Sequence, residues 1–398
     1  MRLSQRISSF QASPIRRLVP YANEAKQRGI HVFHLNIGQP DIKTPPQVLE
    51  AIQSYDQSII AYGQSEGELE LRKALVSYYQ SVGIELSADQ IMVTTGGSEA
   101  LQFAFMVLCD PHDEVIIPEP YYTNVGSFAH AANIVLKPVT SRLEEGFALP
   151  DISSFEAMIT ARTKAILLCS PNNPTGHIYT EEELHQIIDL VERFNLFLIV
   201  DEVYREFCYD NKEFISILRY PQGSKRVVLV DSFSKRYSMC GSRIGVIASR
   251  NEEVLHGVMK LAQARLCPPA IEQAAAIAAT KTPLSYIESV RNEYQKRRDF
   301  IVQELSSIPG VVCSEPKGAF YLVAKLPVED AEDFCIYLLR DFSLNGQTVM
   351  LAPAEGFYVT PGLGKDQVRI AYVLNTTDLK HAMQCLRAAL ESYPKAIR

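Results

Sequence analysis

Lys235 is the residue of this sequence that could most directly do covalent chemistry. It follows the apolar run 227–230 and lies beside Ser232 and Ser234, close to the end of a predicted strand. The amine of a lysine placed in this way could form a Schiff base with a carbonyl compound. Most lysines are solvated surface groups, so the position of Lys235 alone is more typical of a residue without a chemical role.

A glycine-rich turn follows the predicted strand 91–93. Gly96, Gly97 and Ser98 lead directly into a segment with helical periodicity. Glycines let a backbone approach a ligand closely, and the start of a helix offers free N–H groups to an anion. The segment therefore predicts a phosphate-binding turn, although it has neither the Walker A nor the GxGxxG spacing. The alternative is an ordinary strand-to-helix connection that binds nothing.

Other polar residues also follow apolar runs. Asn173 lies in the segment 170–176, where two prolines and a glycine constrain the backbone. Asp201 follows the run 196–200, and a carboxylate at the end of so apolar a strand needs a cation or several donors. Asn173 could instead belong to a plain turn, and Asp201 could cap a following helix. Arg243 lies further along the chain, in the segment 240–245.

The elements that would bring these residues together follow from the apolar pattern. From about residue 46 to residue 281, short apolar runs alternate with helical periodicity, which predicts an α/β fold with a mostly parallel sheet sandwiched by helices. Such folds bind ligands beyond the carboxyl ends of their strands, so the polar groups are expected to share one edge of the sheet. The seven predicted strands are residues 91–93, 115–117, 134–136, 165–168, 196–200, 227–230 and 244–248.

The pattern changes on both sides of this region. Residues 1–44 are rich in turn formers and are predicted to be irregular, and we assign 1–45 to an N-terminal arm and part of a small domain. A long helical region at about 284–308 is followed by strands at 311–313, 319–324 and 367–373 and by a helix from about residue 377. We therefore predict a large domain over 46–283 and a smaller α+β domain over 284–398.

The composition excludes several classes of protein. The 398 residues carry 39 Lys+Arg and 46 Asp+Glu, a net charge of −7, so no nucleic-acid partner is expected. No apolar stretch approaches the roughly 18 residues of a membrane-spanning helix, and no secretory signal is expected. The eight scattered cysteines lack the spacing of a metal site, which predicts free thiols, no bound metal and a cytoplasmic location.

The order of the motifs along the chain is more specific than any one of them. Gly-Gly-Ser at 96–98, Asn-Pro-Thr-Gly at 173–176, Asp-x-x-Tyr at 201–204 and Ser-x-Ser-Lys at 232–235 precede Arg243. In this order they resemble the class I/II aminotransferases of fold type I, which depend on pyridoxal 5′-phosphate. The resemblance extends from the segment 36–41 to the segment 368–370, nearly the whole chain.

The resemblance implies roles for residues around the cofactor ring. Lys235 corresponds to the lysine that holds pyridoxal phosphate as a Schiff base and then moves the proton of the substrate Cα. Asp201 corresponds to the partner of the ring nitrogen, which its charge keeps protonated. Asn173 and Tyr204 correspond to donors to a ring oxygen. Tyr122 takes the position that stacks on the ring, where many relatives carry tryptophan, a residue that this sequence lacks.

The resemblance also implies how the charged groups are bound. Tyr62 matches a tyrosine that reaches the phosphate of the neighbouring subunit, so a homodimer with shared sites is expected. Arg369 matches the arginine that binds the substrate α-carboxylate, with Asn36, Gly38 and Asn173 near it. The residues that match the phosphate site are Gly97, Ser98, Ser232, Ser234 and Arg243.

The implied reaction moves an amino group from an L-α-amino acid to a 2-oxo acid, with 2-oxoglutarate as the expected acceptor, by a ping-pong mechanism. Ser98 stands where one bacterial aspartate aminotransferase subgroup carries a lysine that binds a side-chain carboxylate, so a neutral or aromatic donor is favoured. Arg16 or Arg17 could bind a distal carboxylate instead. Solvated side chains, or pairs at a dimer surface, are the favoured interpretation of these two arginines.

Two other functions would use the same fold. A C–S β-lyase or another lyase would need Lys235, Asp201 and Arg369 in the same roles, because the reactions differ only after the substrate proton has been removed. A non-catalytic sensor, as in some transcriptional regulators, would need an N-terminal DNA-binding domain. Residues 1–44 show no helix-turn-helix pattern.

Overall fold

The computed structural model describes residues 2–10, 12–221 and 224–397. The strands are β1 (His31–His34), β2 (Ile91–Thr94), β3 (Glu114–Glu119), β4 (Val135–Thr140), β5 (Thr163–Cys169), β6 (Phe197–Asp201), β7 (Val227–Ser232), β8 (Gly245–Ser249), β9 (Val312–Cys313), β10 (Tyr321–Lys325), β11 (Gln347–Met350), β12 (Ala352–Pro353) and β13 (Gln367–Ala371). The α-helices are α1 (Gln5–Ser8), α2 (Val19–Gln27), α3 (Pro46–Gln53), α4 (Leu69–Ser81), α5 (Gly97–Leu108), α6 (Asn124–Ala131), α7 (Ile152–Met158), α8 (Glu181–Arg193), α9 (Phe233–Arg236), α10 (Glu252–Arg265), α11 (Ala270–Thr280), α12 (Leu284–Ser306), α13 (Ala331–Arg340) and α14 (Thr376–Ser392).

The largest sheet has seven strands in the order β2-β8-β7-β6-β5-β3-β4. The neighbouring strands from β7 to β4 pair in parallel. β8 is antiparallel to both of its neighbours, β2 and β7. The predicted α/β fold with a mostly parallel seven-stranded sheet is therefore confirmed, and each predicted strand corresponds to one strand of this sheet.

The central strands are buried on both faces, which explains their unbroken apolar runs. In β6, Leu198, Ile199 and Val200 are each at most 1% exposed. α8 begins with a capping box formed by Thr180 and Glu183, and it packs one apolar face into the same core as the sheet. Burying one Leu or Ile side chain contributes roughly 1.5–3 kcal/mol. The sheet core buries many of them, so it forms a stable base for the residues at its edge.

A second group of strands lies outside the large sheet. β12, β13, β10 and β9 form an antiparallel four-stranded sheet, and β1 pairs in parallel with β11. These strands share an apolar core with α2, α12, α13 and α14, which buries residues such as Leu35, Phe320, Phe334, Leu338 and Leu386. This group supplies the predicted smaller α+β part of the fold, while the domain boundaries at residues 45 and 283 stay predictions.

The N-terminal 44 residues are more regular than predicted. They contain α2 and β1, and β1 places Val32 and Phe33 in the core. The prediction of an irregular segment over residues 1–44 is wrong, because neither α2 nor β1 has a strong local hydrophobic pattern. α2 buries only Ala22 and Ala25, and β1 pairs with Gln347–Met350 at the other end of the chain.

The carboxyl ends of β2, β5, β6 and β7 meet at one edge of the large sheet. β10 and β13 of the second group contribute side chains to the same region, so a cavity forms between the two groups of strands. In the described ranges, no helix is long and apolar enough to cross a membrane.

Candidate active site

The cavity at the carboxyl edge of the sheet has a volume of about 660 Å³. Most of the residues singled out from the sequence line it: Gly38, Gly97, Ser98, Tyr122, Asn173, Asp201, Tyr204, Ser232, Ser234, Lys235, Arg243 and Arg369. Asn36 lies behind the cavity wall, and Tyr62 lies on the surface. Residues from the two ends of the chain, such as Gly38 and Arg369, therefore meet in one space.

Lys235 lies on the short helix α9, directly beyond β7. The hydroxyl of Ser232 caps this helix by accepting a hydrogen bond from the amide of Ser234 at 3.2 Å. The Nζ atom of Lys235 donates to the carbonyl oxygen of Gly38 at 2.8 Å. The amine is thus fixed at the cavity by the backbone of a segment from the far end of the chain, rather than solvated on the surface.

Asp231 anchors the turn that carries Lys235. Its carboxylate accepts a hydrogen bond from the amide of Ser232 at 2.7 Å and one from Arg205 at 3.1 Å, and it also contacts the guanidinium of Arg236. Burial alone would raise the pKa of Asp231, but the two arginines outweigh it and hold the pKa below its ordinary value. Sequence reasoning missed this group, whose only signal is a charged residue at the end of the apolar run before Lys235.

Asp201 ends β6 and points a carboxyl group towards the cavity. Its Oδ1 atom accepts a hydrogen bond from the amide of Val203 at 3.1 Å. Burial raises the pKa of Asp201 to about 7, and the Lys235 amine lowers it by a smaller amount. The residues that follow form a turn, so Asp201 does not cap a helix. A cationic N–H group in the cavity would stabilise the ionised carboxylate.

Two tyrosines form a buried pair at the cavity wall. The hydroxyl oxygens of Tyr204 and Tyr321 lie 2.9 Å apart, and burial raises the pKa of Tyr204 well above its ordinary value, so its hydroxyl stays protonated. A Cβ atom at position 38 would come within 1.7 Å of the Tyr321 hydroxyl, so Gly38 is required there. Sequence reasoning missed Tyr321, because it lies in an ordinary predicted strand without a motif.

Arg369 on β13 is a buried cation, with 2% of its surface exposed. Its Nη1 atom donates to Asn173 Oδ1 at 3.2 Å, and Nη2 donates to the carbonyl oxygen of Asn36. Its Nε atom has no hydrogen-bond partner among the described residues, and burial lowers the pKa of the guanidinium. A carboxylate in the cavity would supply the missing partner and offset the cost of burying the charge.

The turn between β2 and α5 is suited to bind an anion. We call this turn, together with Ser232, Ser234 and Arg243, the anion seat. Gly96 has a left-handed backbone (φ +79°) and precedes the first turn of α5, where Gly97 and Ser98 line the cavity. A Cβ atom at Gly96 would lie 2.4 Å from Nη2 of Arg243, so glycine lets that guanidinium approach. Helix N–H groups, serine hydroxyls and an arginine together suit a dianion such as a phosphate.

Residues away from the centre of the cavity are arranged as follows. Tyr62 is 82% exposed and, with Ile59 and Ile60, forms an apolar surface. Arg16 lines the cavity, whereas Arg17 forms an ion pair with Glu332 on α13. Of the two neighbouring arginines, the structure brings only Arg16 to the cavity.

These features define the class of protein. An α/β fold that gathers a lysine amine, a carboxyl group, an anion seat and a buried arginine in one cavity is suited to reactions of anionic carbonyl compounds with amino acids.

Comparisons with known proteins identify the family. The family model for aminotransferase class I and II matches residues 30–386. An aspartate aminotransferase of Rhizobium meliloti (strain 1021) is 32% identical over 98% of this chain and 96% of its own length. The chain therefore belongs to the class I and II aminotransferases, a family that uses pyridoxal phosphate, and the resemblance seen in the sequence is confirmed.

Solved structures agree with this assignment. The chain is similar to the Thermus thermophilus aspartate aminotransferase with maleate, with a TM-score of 0.88 at 29% identity, covering 98% of this chain and 100% of that one. It is equally similar to an alanine aminotransferase from Pyrococcus furiosus, with a TM-score of 0.88 at 31% identity, covering 97% and 99% of the two chains. The protein is an enzyme of the aspartate aminotransferase-like fold.

Proposed function

We propose that the protein transfers the amino group of an L-α-amino acid to a 2-oxo acid, with 2-oxoglutarate as the acceptor, in a ping-pong reaction that uses pyridoxal phosphate. The observation that carries this proposal is the meeting of the Lys235 amine, the Asp201 carboxyl group and the buried Arg369 guanidinium in one cavity. The Thermus thermophilus relative was solved with maleate, a dicarboxylate, which supports a dicarboxylic acceptor.

The residues of the cavity fit pyridoxal phosphate. When bound, the cofactor supplies a carbonyl group and an electron-accepting ring. The anion seat suits its phosphate, which Gly97, Ser98, Ser232, Ser234 and Arg243 would hold. Burial raises the pKa of Asp201 to about 7, and a cationic ring nitrogen beside it would favour the carboxylate, which would in turn keep a proton on that nitrogen. Tyr204 and Asn173 would donate to the ring oxygen, and Tyr122 would pack on the ring face.

The substrate would be held by residues of the second group of strands. Arg369 binds the α-carboxylate through paired hydrogen bonds, which its unpartnered Nε atom makes available. Asn36 positions Arg369 from behind by accepting a hydrogen bond from it, and Gly38 leaves room for the Tyr321 hydroxyl. Lys235 then removes and returns the proton at the substrate Cα, for which a lysine amine near the reacting carbon is suited.

The proposed assembly is a homodimer in which Tyr62 reaches the phosphate site of the partner. The exposed position of Tyr62, outside the cavity of its own chain and beside Ile59 and Ile60, supports this proposal. We also propose that the enzyme works in the cytoplasm on small amino acids and 2-oxo acids, with neither nucleic acid nor membrane as a partner. The eight free cysteines are consistent with a reducing compartment.

The visible spectrum of the cofactor-loaded protein tests the proposal. We expect a yellow protein that bleaches with a good amino donor and regains its colour when 2-oxoglutarate is added. Lys235→Ala should abolish this cycle, whereas Lys212→Ala, which removes a surface lysine, should leave it intact. Release of ammonia and pyruvate from a thioether amino acid without any oxo acid would indicate a lyase. A protein that binds the cofactor but reacts with no amino acid would favour a sensor.

A further inference from the structure

One cation of the cavity has no role in the proposed reaction. The cavity is lined by four cationic residues, Arg16, Lys235, Arg243 and Arg369. Lys235 carries the chemistry, Arg243 belongs to the anion seat, and Arg369 suits an α-carboxylate. Arg16 comes from the N-terminal arm, together with Ser13 and Ile15, and its guanidinium remains unassigned.

The charge of Arg16 is not neutralised within the part of the chain that the structure describes. No ion pair or side-chain hydrogen bond involves its guanidinium there, whereas its neighbour Arg17 is paired with Glu332. Among the described residues that line the cavity, Asp201 is the only carboxylate, and it lies at the end of β6 beside the Lys235 turn. An anion in the cavity would therefore be the natural partner of Arg16.

Arg16 is held in a defined place relative to Arg369. The amide of Arg16 donates to Ser13 and its carbonyl oxygen accepts from Val19, each at 3.0 Å. Asn36 then links the two arginines, because its side chain donates to the carbonyl oxygen of Ile15 at 3.1 Å while its own carbonyl oxygen accepts from Arg369. The backbone beside Arg16 is therefore linked through Asn36 to the contact that positions Arg369.

Tyr122 indicates that both arginines act on the same part of the cavity. Burial raises the pKa of its hydroxyl to about 12, and the positive charges of Arg369 and Arg16 both act in the opposite direction. All three side chains line the same cavity. A ligand with a carboxylate at each end could contact both arginines at once.

We propose that Arg16 binds the distal carboxylate of a dicarboxylic substrate, such as 2-oxoglutarate or the corresponding amino acid, while Arg369 binds the α-carboxylate. This inference rests on the proposed function. Ser98 is neutral and belongs to the anion seat, so it does not supply this charge. Arg16 is the specificity-determining residue, and it acts within the same subunit.

The different burial of the two arginines explains how one site accepts two kinds of substrate. Arg369 is buried and needs a carboxylate in every complex, whereas the side chain of Arg16 is exposed. A neutral donor leaves Arg16 in contact with water at little cost, since a solvated guanidinium needs no partner. A dicarboxylate gains a charge-assisted hydrogen bond from it. Dicarboxylic acceptors and neutral donors can therefore alternate in the same cavity.

Steady-state kinetics of the cofactor-loaded enzyme with two acceptors test this proposal. Arg16→Gln should raise the KM for 2-oxoglutarate on the order of 10- to 100-fold, the size expected for one lost charge-assisted hydrogen bond. The KM for pyruvate, which lacks the distal carboxylate, should change little. Arg17→Gln is the matched control. It removes the same charge from the next residue, whose side chain is paired with Glu332 instead of lining the cavity. It should affect both acceptors equally.

A binding measurement separates this inference from the proposed function. Calorimetric titration of the loaded protein with glutarate and with butyrate should show weaker glutarate binding in Arg16→Gln, unchanged butyrate binding, and partial recovery in Arg16→Lys. Equal losses for both ligands, or none, would overturn the assignment of Arg16. If the wild type transferred amino groups to no 2-oxo acid at all, the proposed function would fail, while the glutarate titration would still decide the role of Arg16.

Discussion

Asp201 shows how a single residue of the proposed cofactor site makes stability depend on pH. Burial raises its pKa to about 7 in the folded chain, whereas an unfolded chain ionises an aspartate at about pH 3.9. Between these values the folded state holds a proton that the unfolded state has lost, so stability falls as the pH rises. A bound group with a cationic N–H would remove this effect, because it favours the ionised carboxylate.

We predict that cofactor-free Asp201→Asn becomes more stable relative to the wild type as the pH rises from 5 to 8. The amide resembles the protonated carboxyl group, and the expected relative gain is roughly 2–3 kcal/mol, about 1.4 kcal/mol for each pH unit up to the folded pKa. Urea unfolding at the two pH values measures it. After loading with pyridoxal phosphate, the wild type should gain more stability than the variant.

Asp210 provides a control, because its pKa is lowered in the folded chain whereas that of Asp201 is raised. Hydrogen bonds from Arg298 lower its pKa to about 2, so it is ionised in both the folded and unfolded chain throughout this pH range. Asp210→Asn should therefore change the free energy of unfolding by the same amount at pH 5 and pH 8. If the difference between Asp201→Asn and the wild type were also constant, the account of Asp201 would be wrong.

At the scale of elements, the antiparallel strand β8 shapes the anion seat. Gly245 on this strand pairs with Thr94 at the end of β2 and with Ser232 at the end of β7. A Cβ atom at position 245 would lie 2.3 Å from the carbonyl carbon of Gly96 and 2.5 Å from the amide nitrogen of Gly97. The close approach of β8 to the glycine turn thus depends on the absence of a side chain at this position.

We predict that Gly245→Ala displaces the β2–α5 turn and weakens binding of pyridoxal phosphate. Overpacking of this kind costs roughly 1–3 kcal/mol of stability. The loss of one phosphate contact should weaken cofactor binding at least about tenfold, since a charge-assisted hydrogen bond is worth roughly 1.5–3 kcal/mol. Urea unfolding and titration with the cofactor measure the two effects. Gly241→Ala is the control for the stability effect, because its added methyl group would meet no protein atom within 4 Å. Normal cofactor affinity in Gly245→Ala would contradict this prediction.

At the scale of the whole molecule, the positive charge of the site contrasts with the net charge. The chain carries −7 overall, yet the cavity is lined by Arg16, Lys235, Arg243 and Arg369 against Asp201 alone among the described carboxylates. Positive charge concentrated in a cleft attracts anionic ligands. The charge distribution thus suits a cofactor and substrates that are all anionic.

The proposed dimer can be tested with mixed subunits. If Tyr62 completes the site of its partner, a hybrid of Lys235→Ala and Tyr62→Ala subunits contains one intact site, although each homodimer is impaired. Random re-association should then restore about a quarter of the wild-type activity. Activity measured after mixing and re-association provides the test.

A second mixture serves as the control. Lys235 and Asp201 line the cavity of the same chain, so hybrids of Lys235→Ala and Asp201→Ala subunits should contain no intact site and recover no activity. Equal behaviour of the two mixtures would show that Tyr62 does not act across the interface.

The sequence predicted the parts of the molecule whose signals are local. β5, β6 and β7 are buried on both faces, so their continuous apolar runs predict strands without any long-range information. β1 and α2 escaped prediction because their stability comes from pairing and packing with distant elements. Tyr321 and Asp231 escaped for a related reason, since neither stands in a motif and each gains its importance from contacts across the fold.

The sequence by itself determined the family, the mostly parallel sheet and a set of chemically capable side chains, because motif order and apolar periodicity are properties of the linear chain. Only the tertiary structure decided which arginine of the pair 16–17 lines the cavity, that the Arg369 guanidinium is buried with an unpartnered nitrogen, and that the Lys235 amine is held by the carbonyl oxygen of Gly38. These facts depend on burial and on contacts between segments as much as 333 residues apart, and such contacts leave no trace in local sequence.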